Sequence, residues 1–136
     1  MTPIRIANFA LHDQSKYLQE WLKLGIELDP TPRAPEIDFN DPIWSEELVL
    51  SEVIKRLVEI KEEGFAGILI GGLSNVMAYA WYIAYHIGLS VVMVKTLRKR
   101  DPNGRFEFEF GGCIELLTPP EVLEIKERIN LTKEVT

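Results

Sequence analysis

Residues 65–94 contain no Asp, Glu, Lys or Arg. An uncharged run of that length first has to be tested against a membrane span, which needs about 20 consecutive apolar residues. Its punctuation decides against a span. Gly71-Gly72 breaks it early, Ser74-Asn75 is a helix-start signal and Gly88 is a helix-stop signal. These divide the run into a short apolar segment (66–70), a helix over 75–87 and a valine-rich segment (90–94). Short apolar segments that do not alternate suit strands buried on both faces of a parallel sheet. The run reads as one strand–helix–strand unit.

The flanks supply further elements. Residues 4–10 (Ile-Arg-Ile-Ala-Asn-Phe-Ala) read as the first strand. Asp13 or Ser15 caps a helix carrying Tyr17, Leu18, Trp21 and Leu22 on one face, with Gly25 as its stop. Pro30, Pro32 and Pro35 make a stiff connector, and residues 36–39 form a short second strand. Asn40-Asp41-Pro42 reads as a cap followed by proline in the first turn of a helix that runs to about residue 63. Its apolar stripe holds Leu50, Val53, Ile54, Leu57, Val58 and Ile60, Glu46 and Glu47 lie near its positive end, and Gly64 ends it. Beyond the central unit, Asp101-Pro102-Asn103-Gly104 is a hairpin turn. Residues 105–110 alternate, with Phe106, Phe108 and Phe110 on one face and Glu107 and Glu109 on the other. Gly111-Gly112 bends the chain, and residues 113–117 extend or re-enter the sheet. Pro119-Pro120 opens a last helix with Val122, Ile125 and Ile129 inward.

Strands alternating with helices mean a single α/β domain over 1–136 with a mostly parallel sheet. Right-handed crossovers give the strand order 2-1-3-4, with an antiparallel hairpin strand at the edge. In that order strands one and three flank a switch point, where such sheets bind ligands beyond the carboxyl ends of the strands. The loops there are 8–12 and 71–75, so Asn8, His12, Gly71, Gly72, Leu73, Ser74 and Asn75 converge on one crevice. Glycines let a ligand approach the backbone, and a helix amino end favours an anion; the same loop also reads as a tight turn with an N-cap. Asn8 either hydrogen-bonds a base edge or makes an Asx turn, and His12 either contacts phosphate or is solvated.

Net charge is −6, which argues against binding long nucleic acid through a basic surface. Lys95, Arg98, Lys99 and Arg100 form the one dense basic cluster: either a solvated hairpin tip or, through Lys95 and Arg98, a phosphate contact at the end of strand four. One cysteine, Cys113, precludes an internal disulfide and points to a reducing, cytoplasmic setting. Two scattered histidines and that cysteine do not make a zinc site, and no other cofactor motif stands out. Ser74 lacks the Gly-x-Ser-x-Gly frame of a hydrolase, and the glycine loop lacks the P-loop and dinucleotide patterns. No catalytic residue is assigned. The central helix has almost no polar face, which suggests a homodimer packed through Tyr79, Tyr82, Tyr85 and His86.

Over residues 4–98 the chain resembles the small Rossmann-like, ring-nuclease-like accessory proteins of type III CRISPR systems that bind cyclic oligoadenylate. The residues that carry this are the first strand ending Asn8-Phe9 with His12 soon after, Ile37-Asp38-Phe39 with Pro42, Gly72-Leu73-Ser74 opening a small-residue helix that ends at Gly88, and Lys95 at the end of the next strand. Departures are an extra residue before His12, the long proline connector and the Arg-rich hairpin. The resemblance implies a dimer holding cyclic tetra-adenylate across its two-fold axis and lowering the free signal in antiviral defence. It leaves open a metal-independent ring nuclease, in which a ribose 2′-hydroxyl attacks the adjacent phosphate and leaves a 2′,3′-cyclic phosphate. The residues alone also allow a structural oligomerisation module without ligand.

Overall fold

A computed structural model describes residues 2–135, without the side chains of Phe108 and of residues 131–135. One sheet of five strands runs through it in the order β2-β1-β3-β4-β5. The strands are β1 (Ile4–Phe9), β2 (Ile26–Asp29), β3 (Gly67–Ile70), β4 (Ser90–Arg100) and β5 (Phe106–Glu115). The first four are parallel, and β5 returns antiparallel to β4. This is the Rossmann-like α/β architecture that the strand–helix alternation predicts. The helices are α1 (Leu18–Lys23), α2 (Glu46–Glu62), α3 (Ser74–His86) and α4 (Pro119–Val135). Among the described residues no helix is long and apolar enough to cross a membrane.

Two apolar layers sandwich the sheet. On one face α2 and α3 bring Val49, Val53, Leu57, Ile60, Val76, Ala80 and Ala84 against Ala7, Phe9, Ile68, Ile70 and Val91. On the other face Trp21 of α1 covers Ile6, Ile26, Leu28, Leu69 and Val92, with Tyr17 and Phe110 closing the margin. The strand β3 is buried throughout, which is why its sequence does not alternate.

The second strand differs from the expectation. Residues 36–39 are irregular, and β2 is Ile26–Asp29, entered directly from Gly25 at the end of α1. Ile26 and Leu28 are buried and Glu27 is exposed, a period-2 pattern cut short by Pro30. Around residues 38–41, Asp38 instead builds a turn, its carboxylate accepting from the Asn40 N–H. The start of α2 also moves. Ser45 is the N-cap, its Oγ accepting from Leu48 N–H at 3.1 Å, whereas Asp41 makes an Asx turn to Ile43. The buried stripe of α2 is Val49, Val53, Leu57 and Ile60; Ile54 and Val58 flank it and are exposed, so the stripe is narrower than expected. Leu18 and Leu22 of α1 are likewise exposed, since α1 is short and seats only Trp21.

At the other end, β4 and β5 run past the last β3 pair as a two-stranded arm closed by the expected turn at residues 101–104. A bulge at Gly111-Gly112 shifts the register between Val94 and Thr96. A side chain at Gly111 would meet Leu97 Cγ at 2.7 Å and the Lys95 carbonyl oxygen at 3.0 Å, so the glycine is what lets the two strands close there. The shared face expected for Phe106, Phe108 and Phe110 holds for Phe110, which packs toward Trp21; the Phe108 side chain lies outside the described residues. Val122 and Ile129 of α4 are exposed rather than inward, and Ile125 is half-buried.

Candidate functional site

The β1/β3 switch point is a real groove. It has a volume of about 160 Å³ and is lined by Ala10, His12, Gln14, Leu69, Ile70, Gly71, Gly72, Met93 and Val94. Its wall comes from the loop after β1, its floor from the end of β3, and its far side from the middle of β4. Gly72 has φ +97°, a conformation that favours glycine, and this turns the chain from β3 into α3 beside Leu11.

The structure distributes the expected ligand residues around this groove. His12, Gly71 and Gly72 line it. Asn8 lies underneath, fully buried, its Nδ2 donating to the carbonyl oxygens of His12 and Pro30 at 2.8 Å each. It is a clamp for the two loops and does not line the groove. Leu73 packs against the α2–α3 core. Ser74 borders a neighbouring apolar groove of about 300 Å³ with Met77, Ala78, Trp81, Met93 and Leu116. Asn75 turns toward α2, where its Nδ2 meets the two Glu46 carboxylate oxygens at 3.2 and 3.3 Å. Lys95 is the residue after Val94 of the lining, is exposed and does not itself line the groove. Arg98 is further out on the arm, stacked on Phe106.

The amino end of α3 has no side-chain cap from Leu73; the Asn75 side chain accepts from Val76 N–H at 3.0 Å. Glu46 lies beside this turn and also accepts from the Tyr79 hydroxyl at 2.5 Å, a hydrogen bond that raises the phenol's pKa. A carboxylate already occupies the α2 side of the helix end, so an anion is favoured only from the groove side.

Gln14 was not singled out by the sequence, which offers no signal for it. Its Oε1 is buried and finds no donor among the described residues, although Gln14 lines the groove. A buried amide oxygen without a donor costs about 1–3 kcal/mol, and a ligand N–H or O–H recovers it only after the amide turns toward the groove. Asn8 Oδ1 is likewise buried and without a donor among the described residues. The groove lining therefore holds the Gln14 side chain, the His12 imidazole, two glycine backbones and an apolar floor. Among the described residues no group of three or more His, Cys, Asp or Glu is placed to hold a metal.

On α3, Tyr79 is engaged within the chain, while Tyr82, Tyr85 and His86 are exposed; both tyrosines pack against His86, tilted for Tyr82 (ring centroids 4.7 Å apart) and edge-on for Tyr85 (5.2 Å). The indole N–H of Trp81 donates to the Leu117 carbonyl at 2.7 Å and ties the chain leading to α4 onto this helix. No protein-family model matches the chain, and no curated protein matches it in sequence.

Proposed function

We propose that the chain binds cyclic tetra-adenylate, two copies joining through α3 so that their switch-point grooves face one ring, and so lowers the free level of that ring in type III CRISPR antiviral defence. The observation that carries the reading is the groove between β1 and β3, lined together by His12, Gln14, Gly71 and Gly72, with Gln14 Oε1 lacking a donor among the described residues. An acceptor with no donor, beside glycine backbone at a helix amino end, suits a base amine or ribose hydroxyl linked to a phosphate. The volume argues for pairing. About 160 Å³ is below the roughly 300–1,000 Å³ of an ordinary ligand site, so one groove holds part of an oligonucleotide and a two-fold pair is needed for a ring. The exposed Tyr82, Tyr85 and His86 supply the aromatic surface for that pair. The exposed Lys95, next in sequence to Val94 of the lining, supplies the cation. The ring itself is named by the resemblance over residues 4–98.

A second reading, cleavage of the ring by its own 2′-hydroxyl, is favoured by His12, the ionisable side chain in the groove lining. Such a reaction needs chiefly in-line positioning and charge stabilisation. Incubation with radiolabelled cyclic tetra-adenylate separates the readings. Retained intact ring supports capture, and a product ending in 2′,3′-cyclic phosphate supports cleavage. Seeing neither retention nor cleavage returns the Gly71-Gly72 loop to a plain turn.

A further inference from the structure

The arm made by β4 and β5 has two faces of opposite character. Antiparallel register sets Lys99 against Glu107 and Arg100 against Phe106, and side chains alternate between faces. One face carries Lys99, Glu107 and Glu109, and Lys99 Nζ lies 3.0 Å from Glu109 Oε2. The other carries Arg98 and Arg100, whose guanidinium carbons lie 3.8 and 5.2 Å from the centroid of one ring, Phe106. Among the described residues neither arginine pairs with a carboxylate. The nearest acid in sequence, Asp101, spends Oδ1 on the N–H groups of Asn103 and Arg105. Two uncompensated like charges at one ring stand out in a chain of net charge −6.

The same face continues toward the domain. Phe110 lies against Tyr17, ring centroids 5.5 Å apart, and Lys16 Nζ sits 4.9 Å over the Tyr17 ring. A cleft of about 450 Å³ opens there between Lys16, Tyr17, Glu20, Glu109 and Phe110. Cations thus flank the aromatic rings at both ends of the strip, and Glu20 lies beside its inner end. Phe106 is 48% exposed, so its ring stays accessible beside the guanidinium planes.

We infer that this face of the arm binds single-stranded nucleic acid, with Arg98 and Arg100 on phosphates and Phe106 as a stacking platform for a base. Aromatic platforms beside cations are the common device for single strands, because every base has a π-face. An anionic bilayer is the poorer partner, since Glu107 and Glu109 on the back of the arm and the net negative body oppose it. The same body charge confines contact to a short strand on the arm and disfavours a long duplex. The inference does not rest on the switch-point groove.

Fluorescence anisotropy with a labelled oligouridylate of about ten nucleotides, within the site sizes known for such surfaces, tests it. Wild-type protein binds. Phe106→Ala weakens binding about tenfold or more with the salt slope unchanged, and Phe106→Trp restores it. Arg100→Ala lowers the salt slope by about 0.7, the value for one single-strand phosphate contact. Circular dichroism and thermal midpoints near wild type show that the variants fold. No binding by folded wild type, binding that survives a Phe106→Ala/Arg100→Glu double variant, equal binding of a duplex, or binding of phosphatidylserine vesicles in place of the oligonucleotide overturns the inference.

Discussion

Asn8 holds Pro30: its side-chain nitrogen donates to the Pro30 carbonyl oxygen at 2.8 Å, across 22 positions of sequence. The same nitrogen donates to the His12 carbonyl at 2.8 Å. One buried amide thereby joins the loops that follow β1 and β2 and sets the wall of the groove. Asn8→Ala should cost roughly 1–3 kcal/mol, since it leaves carbonyl groups without a donor. Urea unfolding should show a lower midpoint with an unchanged slope. Asn8→Asp should be at least as damaging at neutral pH, because a carboxylate placed against two carbonyl oxygens cannot donate.

Arg33 joins the chain after β2 to the end of α2. Its guanidinium reaches Asp29 at 2.9 Å and also pairs with Glu63. Burial pushes the Asp29 carboxyl up, but hydrogen bonds from Arg33 and from Thr31 N–H outweigh it and hold the carboxyl below its ordinary value. A folded pKa that is lowered stabilises the fold above the unfolded pKa and loses that contribution as pH falls. Thermal midpoints should therefore drop below about pH 4, near the unperturbed Asp value. Asp29→Asn should show a lower midpoint at neutral pH and a shallower fall in acid. Parallel pH profiles for the two proteins would contradict this.

Gln14 offers the reverse case. Its buried amide oxygen has no donor, so Gln14→Leu should leave stability unchanged or raise it by up to about 1 kcal/mol, while weakening ligand binding. A fall in the unfolding midpoint would mean that Gln14 serves the fold and not the groove.

Tyr82→Glu or Tyr85→Glu should dissociate the proposed dimer by burying a charge in an aromatic contact. Sedimentation of wild type as a monomer at concentrations where the variants are also monomeric would remove the α3 interface.

The sheet order was legible because β3 and the start of β4 are unbroken apolar runs bounded by Gly71-Gly72 and Gly88, and because residues 101–104 spell a hairpin turn. The β2 strand was not, since Ile26, Glu27 and Leu28 offer one period of alternation before Pro30, too little to outweigh the proline-rich context. The start of α2 was not, because Asn40, Asp41 and Ser45 are all good caps; Asp41 makes an Asx turn and Ser45 caps the helix. In the groove, His12 and the glycines followed from the switch-point rule. Asn8 as a clamp, Asn75 bound to Glu46 and the stranded Gln14 oxygen depend on loop geometry that no local pattern encodes.

Titration calorimetry of the wild-type protein with cyclic tetra-adenylate tests the central claim most directly. The account predicts saturable binding at one ring per two chains, with Gln14→Leu weakening it several-fold, the scale of one hydrogen bond, and Lys95→Ala weakening it and flattening its salt dependence. Absence of saturable heat from folded protein, or affinity left unchanged in a Gln14→Leu/Lys95→Ala double variant, would contradict it.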